Sequence, residues 1–231
     1  MKLRVQLRRY HVWLGWVVAL PILFWIVSGL IMIVKPIDEV RGRDLLAPLP
    51  PVRLIGVPVT PPIIGVPVSK MTLEQQAAGP RWIVSLANGP SRAADPATGR
   101  WLPEISAADA AREVGQRYRG GARVAAVNAT SADDPPLDLR QPIATWQVVM
   151  SDGTHLYIDR ATGSVVATRT RFWRFYDWMW GLHIMDMKTR EEPHNAWVAT
   201  FGIASLFMAV LALVLLPMTI RRRSRRKPRL Q

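Results

Sequence analysis

The chain contains four histidines, His11, His155, His183 and His194, and these are its best candidates for holding a metal or moving a proton near pH 7. Cysteine is absent, which removes thiolate zinc, iron–sulfur ligation, disulfides and thioether attachment of haem. One imidazole alone makes a weak metal site, so what matters is which histidines lie at the same depth. His11 opens a long apolar run, His183 and His194 precede a second, and His155 falls on a strand-like segment between them. A helix across a hydrocarbon layer separates its ends by roughly 30 Å, so His11 cannot share an iron with His183 or His194. The latter two can share one only if MDMKTREEP, between them, folds back, since its polarity and proline forbid one continuous helix. In a homodimer, His11 could meet its mate at one face and His183 its mate at the other, each pair a bis-histidine haem site. The plainer role places His11 and His183 at the headgroup level, bonded to lipid phosphate or backbone carbonyls.

Other catalytic patterns are weak. Ser91, Ser106 and Ser151 have no His and Asp arranged around a nucleophile elbow. DGTH, from Asp152 to His155, reads as a hairpin turn with His155 on a solvated face. Asp133, Asp134 and Asp138 lie in a proline-interrupted run that reads as a solvated loop rather than a cation site. The glycines form no phosphate-cradling motif.

The elements that position these residues are set first by two solvents. Val12 to Val34 is free of charge and long enough to span a bilayer. It is too long for a signal peptide and lacks a small-residue cleavage site before Lys35, so it is expected to be retained. A second span follows Pro193 and ends at the arginine cluster after Ile220. The formal charge of +13 suggests a nucleic-acid partner until its distribution is read. Lys2, Arg4, Arg8 and Arg9 precede the first span, while Arg221, Arg222, Arg223, Arg225, Arg226, Lys227 and Arg229 follow the second. All 17 acidic residues lie between these tails, so the middle is nearly neutral and nucleic acid is excluded as partner. Basic flanks stay in the cytoplasm, which predicts both termini inside a bacterial inner membrane and the middle exported to the periplasm. The arginine tail can also attract anionic lipid.

The expected organisation is a basic N-terminus at 1–11, spans at 12–34 and 194–220, a Pro-rich extended linker at 35–67, an exported domain at 68–170, an aromatic interfacial segment at 171–190 and a basic tail at 221–231. The interfacial reading rests on RFWRFYDWMWGL, whose rings favour the headgroup level. Gly15, Ser28, Gly29, Gly202 and Ser205 would let helices approach closely. Within the domain, Ser106 and Asp109 form a capping box opening a helix over 106–118. Strands are expected at 123–127, 145–150 and 154–158, before a turn at 159–163. A shortened copy is expected before this unit, with a second capping pair at Thr72 and Gln75, a strand at 82–86, and DPATGR echoing DRATGS. In both turns Asp accepts local backbone bonds and Gly takes a positive φ. The fold class is therefore α+β, two transmembrane helices flanking a domain of helix and antiparallel strands in two units.

HLYIDRATGSVV, at the end of this helix-and-strand unit, resembles a PepSY domain. YHVWLGWVVALPILFWIVSGLI and FYDWMWGLHIMDM are similar to the first helix of PepSY-associated transmembrane proteins and to the stretch before their last helix. Larger proteins of this kind include haem-bearing inner-membrane reductases acting on periplasmic iron–siderophore complexes. The resemblance implies b-type haem at His11 and His183 and electron transfer outward, while His194 is a further candidate from its place near His183 in the sequence. With two spans rather than four or more, the chain would complete a multi-haem relay only as a homo-oligomer or with a membrane partner subunit. PepSY domains are also linked to peptidase inhibition, so the alternative is a membrane-tethered peptide- or protein-binding module without catalysis. DRATGS further invites comparison with sequences at which FMN is attached covalently, which would place flavin on Thr162. The domain's own turn explains the same residues better.

Overall fold

The computed structural model describes residues 2–65, 67–87 and 89–224, without the side chains of Lys2 and of 218–224. The arginine tail, from Arg221 to Arg229, thus falls outside the described side chains. In chain order the elements are α1 (Lys2–Met32), α2 (Ile37–Val40), β1 (Val68–Gln76), β2 (Gly79–Leu86), β3 (Arg92–Ala94), α3 (Ala107–Arg117), β4 (Val124–Thr130), β5 (Thr145–Met150), β6 (His155–Asp159), β7 (Val165–Arg169), α4 (Arg171–His183) and α5 (Ala196–Ser224). They form two compact units, Lys35–Arg174 and the pair of segments on either side of it.

The central unit holds two antiparallel sheets, β1-β2-β3 and β4-β5-β6-β7. Ser106 and Asp109 make the full capping box at the start of α3: the Ser106 hydroxyl accepts the Asp109 N–H at 3.1 Å, and the Asp109 carboxylate accepts the Ser106 N–H at 3.3 Å. This fixes the helix so that Ala110 and Val114 pack on Val148, Met150, Leu156 and Ile158, the main core. Successive residues of a strand face opposite ways, so Tyr157, between Leu156 and Ile158, turns to a second cluster with Leu139 and Ala167.

The two DxATG turns are close copies. Asp95 Oδ1 accepts the Ala97 N–H and Asp159 Oδ1 the Ala161 N–H, both at 2.9 Å, and both threonine hydroxyls donate to the aspartate at 2.8 Å. Gly99 and Gly163 take φ values of 71° and 80°, a region that side chains disfavour. The rest of the first unit departs from expectation. Thr72 and Gln75 cap no helix; both lie in β1, where Thr72 pairs with Ile83 and Gln75 with Pro80. A capping pair needs an apolar helical face after it, and here Gly79 and Pro80 break the chain instead, leaving WIVSL as a strand partner. The linker is also not a free spacer. Its helical turn at Arg43–Leu45 leads into a bridge between Leu46 and Tyr118, and Val59 donates to the Pro96 carbonyl at 2.7 Å while accepting Trp82 Nε1 at 2.9 Å. Unpaired backbone groups of a Pro-rich segment gain by bonding a neighbouring sheet.

In the other unit, α1 begins well before the apolar run, so the basic N-terminal stretch is helical and continuous with it. α1 and α5 pack side by side, burying Val18 and Leu211, with Gly15 beside Met208. Asn195 caps α5, its Oδ1 accepting the Val198 N–H at 3.0 Å. The stretch before it folds back, since its Nδ2 donates to the Ile184 carbonyl at 2.8 Å and Arg190 pairs with the buried Asp177 at 2.9 Å. The Asp186 carboxylate collects the Thr189 hydroxyl and the N–H groups of Lys188, Thr189, Glu191 and Glu192. The Thr189 hydroxyl and N–H hold that carboxylate well below the usual carboxylate range.

Candidate functional site

Trp25, Ser28 and Gly29 stand three and four residues apart on α1 and so share one helix face. His183, the last residue of α4, lies against that face. Its ring stacks on Trp25 with centroids 4.7 Å apart and planes 18° from parallel. Nδ1 is 3.1 Å from the Ser28 hydroxyl and 3.2 Å from the Trp25 carbonyl. The Ser28 hydroxyl itself donates to the Trp25 carbonyl at 2.9 Å, so its oxygen is left to accept. A carbonyl only accepts, and the one tautomer satisfying both contacts carries its proton on Nδ1. In the neutral ring Nε2 then keeps its lone pair. Gly29 is part of the seat: a Cβ there would lie 3.3 Å from His183 Cε1, too close for comfort. Ser28 and Gly29, expected to let helices approach closely, admit this imidazole at the end of α4.

His11 lies fourteen residues before Trp25 on the same helix, which puts it about 20 Å away along the axis. Its Nδ1 is buried and has no hydrogen-bond partner among the described residues. His194 is exposed, and its backbone N–H is bonded to Glu192 at 2.7 Å. MDMKTREEP does fold back, but none of the interactions of the described residues joins His183 to His194. Helix rise thus puts His11 at a different depth from His183. Among the described residues no three His, Cys, Asp or Glu side chains cluster as a metal site.

The arrangement, two long apolar helices with a helix-and-sheet domain between them, is matched by a family profile, that of the PepSY-associated TM region, over residues 8–231. The chain belongs to the PepSY-associated TM region family. No curated protein and no solved structure matches it. As a member of this family it is a membrane protein, with lipid around α1 and α5 and a PepSY domain between them.

The PepSY domain holds a polar cluster that sequence reasoning misplaced. Tyr157, fully buried, donates to Asp138 Oδ1 at 2.6 Å and accepts from Gln147 Nε2 at 2.7 Å. Burial first, and the bond to Asp138 second, push its hydroxyl pKa well above the usual tyrosine value. His155 Nδ1 is 3.3 Å from Asp138 Oδ2, with the two side chains only 25% and 16% exposed, so neither residue is on a solvated face or loop. Asp133 and Asp134 are exposed, as expected of a loop. Alternation along β6 and the Gln147–Tyr157 register could have shown His155, Tyr157 and Gln147 together. Nothing local announces Asp138, which arrives from a loop whose carbonyl is held by Arg169 Nε at 2.6 Å. The cluster is a satisfied polar plug in the second core. Thr162, the flavin candidate, is 1% exposed and donates to Asp159, as a turn residue does.

Proposed function

We propose that this PepSY-associated protein is a b-haem-binding subunit of the bacterial inner membrane that passes electrons outward to a periplasmic acceptor such as an iron–siderophore complex. The observation that supports this most is the placement of His183 Nδ1 within hydrogen-bond distance of a carbonyl and a hydroxyl oxygen: an imidazole that holds its proton there presents Nε2 as a ligand of fixed direction. His11, with a buried and unpartnered Nδ1, is the second candidate, about 20 Å along α1. The residues fit axial ligation one imidazole at a time. The second ligand at each depth is assigned to a second copy of the chain or to a membrane partner. Haem, when bound, supplies one-electron chemistry. The chain's own residues set its surroundings: Trp25 covers one face of the imidazole, Gly29 gives the ring room, and Ser28 and the Trp25 carbonyl raise the basicity of Nε2 by holding the opposite N–H. The basic tails, by the positive-inside rule, put both termini in the cytoplasm and the PepSY domain in the periplasm.

The test is an absorption spectrum with a pyridine haemochrome assay on protein expressed with ample haem. A reduced b-type band is expected, lost in His183→Ala and retained with an altered midpoint potential in Ser28→Ala. Absence of the band from the wild-type protein, or its persistence unchanged in His183→Ala and His11→Ala alike, would refute the proposal.

A further inference from the structure

A cleft of about 420 Å³ opens on the first sheet of the PepSY domain, between the end of the linker and the β1–β2 hairpin. Its walls are apolar, with Leu54, Val57, Pro58, Pro80 and Leu102 among them, and two arginines, Arg53 and Arg81, line it. The side chains of both lack hydrogen-bond partners among the described residues, and Arg81 Nη1 is wholly shielded from solvent. The acids nearest Arg81 are committed elsewhere. Glu113 accepts the Ala77 N–H at 2.6 Å and pairs with Arg117 at 2.8 Å, while Asp109 is held by the Ser106 hydroxyl at 2.7 Å and by Arg112 at 3.2 Å. Asp95, also in the lining, spends both oxygens on its own turn. A buried guanidinium N–H left without an acceptor is costly, and an anion removes that cost.

The rim narrows the choice of anion. Ile55 and Val57 are 105% and 89% exposed, an apolar lip that no described residue covers. Among the described residues, no backbone hydrogen bond engages Leu54, Ile55, Gly56 or Val57, so main-chain donors and acceptors stand beside the apolar wall. A fatty acid would leave those groups unmet, whereas a peptide end offers a carboxylate, an apolar side chain and backbone partners together.

We propose that this cleft binds the free C-terminus of an apolar-ended peptide, its carboxylate met by Arg53 and Arg81 and its last side chain by the Leu54–Pro58 wall. Desolvation lowers the Arg81 pKa, although Asp109 and Glu113 oppose that effect, and a bound carboxylate would restore it. The site gives the tethered-binding reading a specific ligand and is independent of haem at His183.

The probe is dye-labelled Ala-Ala-Leu with a free or an amidated C-terminus, titrated by fluorescence anisotropy against the full chain in nanodiscs, with empty nanodiscs subtracted. The free acid should bind, and amidation should weaken it by about tenfold or more, as loss of a charge-assisted pair does. Arg53→Gln, at an exposed position that tolerates change, should weaken it by a similar factor, and Arg81→Gln by more. Circular dichroism checks that both variants fold. Equal binding of acid and amide, no effect of Arg53→Gln, or no binding at all would overturn the proposal. Octanoate competing as well as the unlabelled peptide acid would overturn the peptide assignment. Haem content is read separately, so failure here leaves the electron-transfer proposal untouched, and the reverse also holds.

Discussion

The turns at Asp95–Arg100 and Asp159–Ser164 share residue types and hydrogen-bond lengths, yet their threonines have opposite fates. Thr98 is exposed, whereas Thr162 is buried, with its carbonyl accepting Gln76 Nε2 at 3.1 Å. The second turn is covered by β1, which also places Glu74 within 3.1 Å of the Ser164 hydroxyl. The first turn lies under the linker, where the Thr60 carbonyl crowds Gly99. A turn sequence thus determines its own closure, while what lies over it comes from elsewhere in the chain. The same asymmetry holds for the cores: the second unit has α3 to pack upon, and the first has no helix.

If the second unit is the stability centre, the largest effect comes from its core. Leu156→Ala, at a fully buried site, should cost about 2–5 kcal/mol in denaturant unfolding of the detergent-solubilised protein. Val84→Ala, equally buried in the first sheet, removes less and should cost roughly 1.5 kcal/mol, about 0.8 for each lost carbon. A Val84 variant less stable than the Leu156 variant would reverse the ranking.

The glycines sharpen the comparison next. An alanine at either turn meets positive φ, which costs about 1–2 kcal/mol. At Gly99 its Cβ would also lie 2.7 Å from a backbone oxygen that cannot swing aside; at Gly163 the obstacle is the tip of the Gln76 side chain, 2.4 Å away. Gly99→Ala should therefore be the more damaging by melting temperature, and adding Gln76→Ala should partly rescue Gly163→Ala only. Smaller still, Thr162→Ala should cost about 1 kcal/mol and the exposed Thr98→Ala a few tenths, since a lost hydrogen bond matters more when buried.

The last effect is one of pH. Tyr118, at the end of α3, donates to Asp152 at 2.6 Å, and burial together with that bond raises its pKa to about 12. A folded pKa above the unfolded value of 10.0 contributes stability that is complete below pH 10 and is lost as pH rises toward 12. Unfolding followed across that window should show the decline, and Tyr118→Phe should flatten part of it, with Tyr157 responsible for the rest.

Much of this protein is legible in its amino-acid order. The capping box at Ser106, both DxATG turns, the strands β4, β5 and β6 and the two apolar helices all follow from interactions within a few residues or from partition between water and lipid, and such forces act on the local sequence whatever surrounds it. The histidines were visible as types, but not their surroundings. That Thr72 joins a strand, that the linker ties onto Trp82 and Pro96, that Asp138 reaches Tyr157 and His155, and that Ser28 and Gly29 seat His183 were decided only by tertiary structure. Each depends on groups far apart in the chain satisfying one another's buried polar atoms, and no short window of sequence contains both partners.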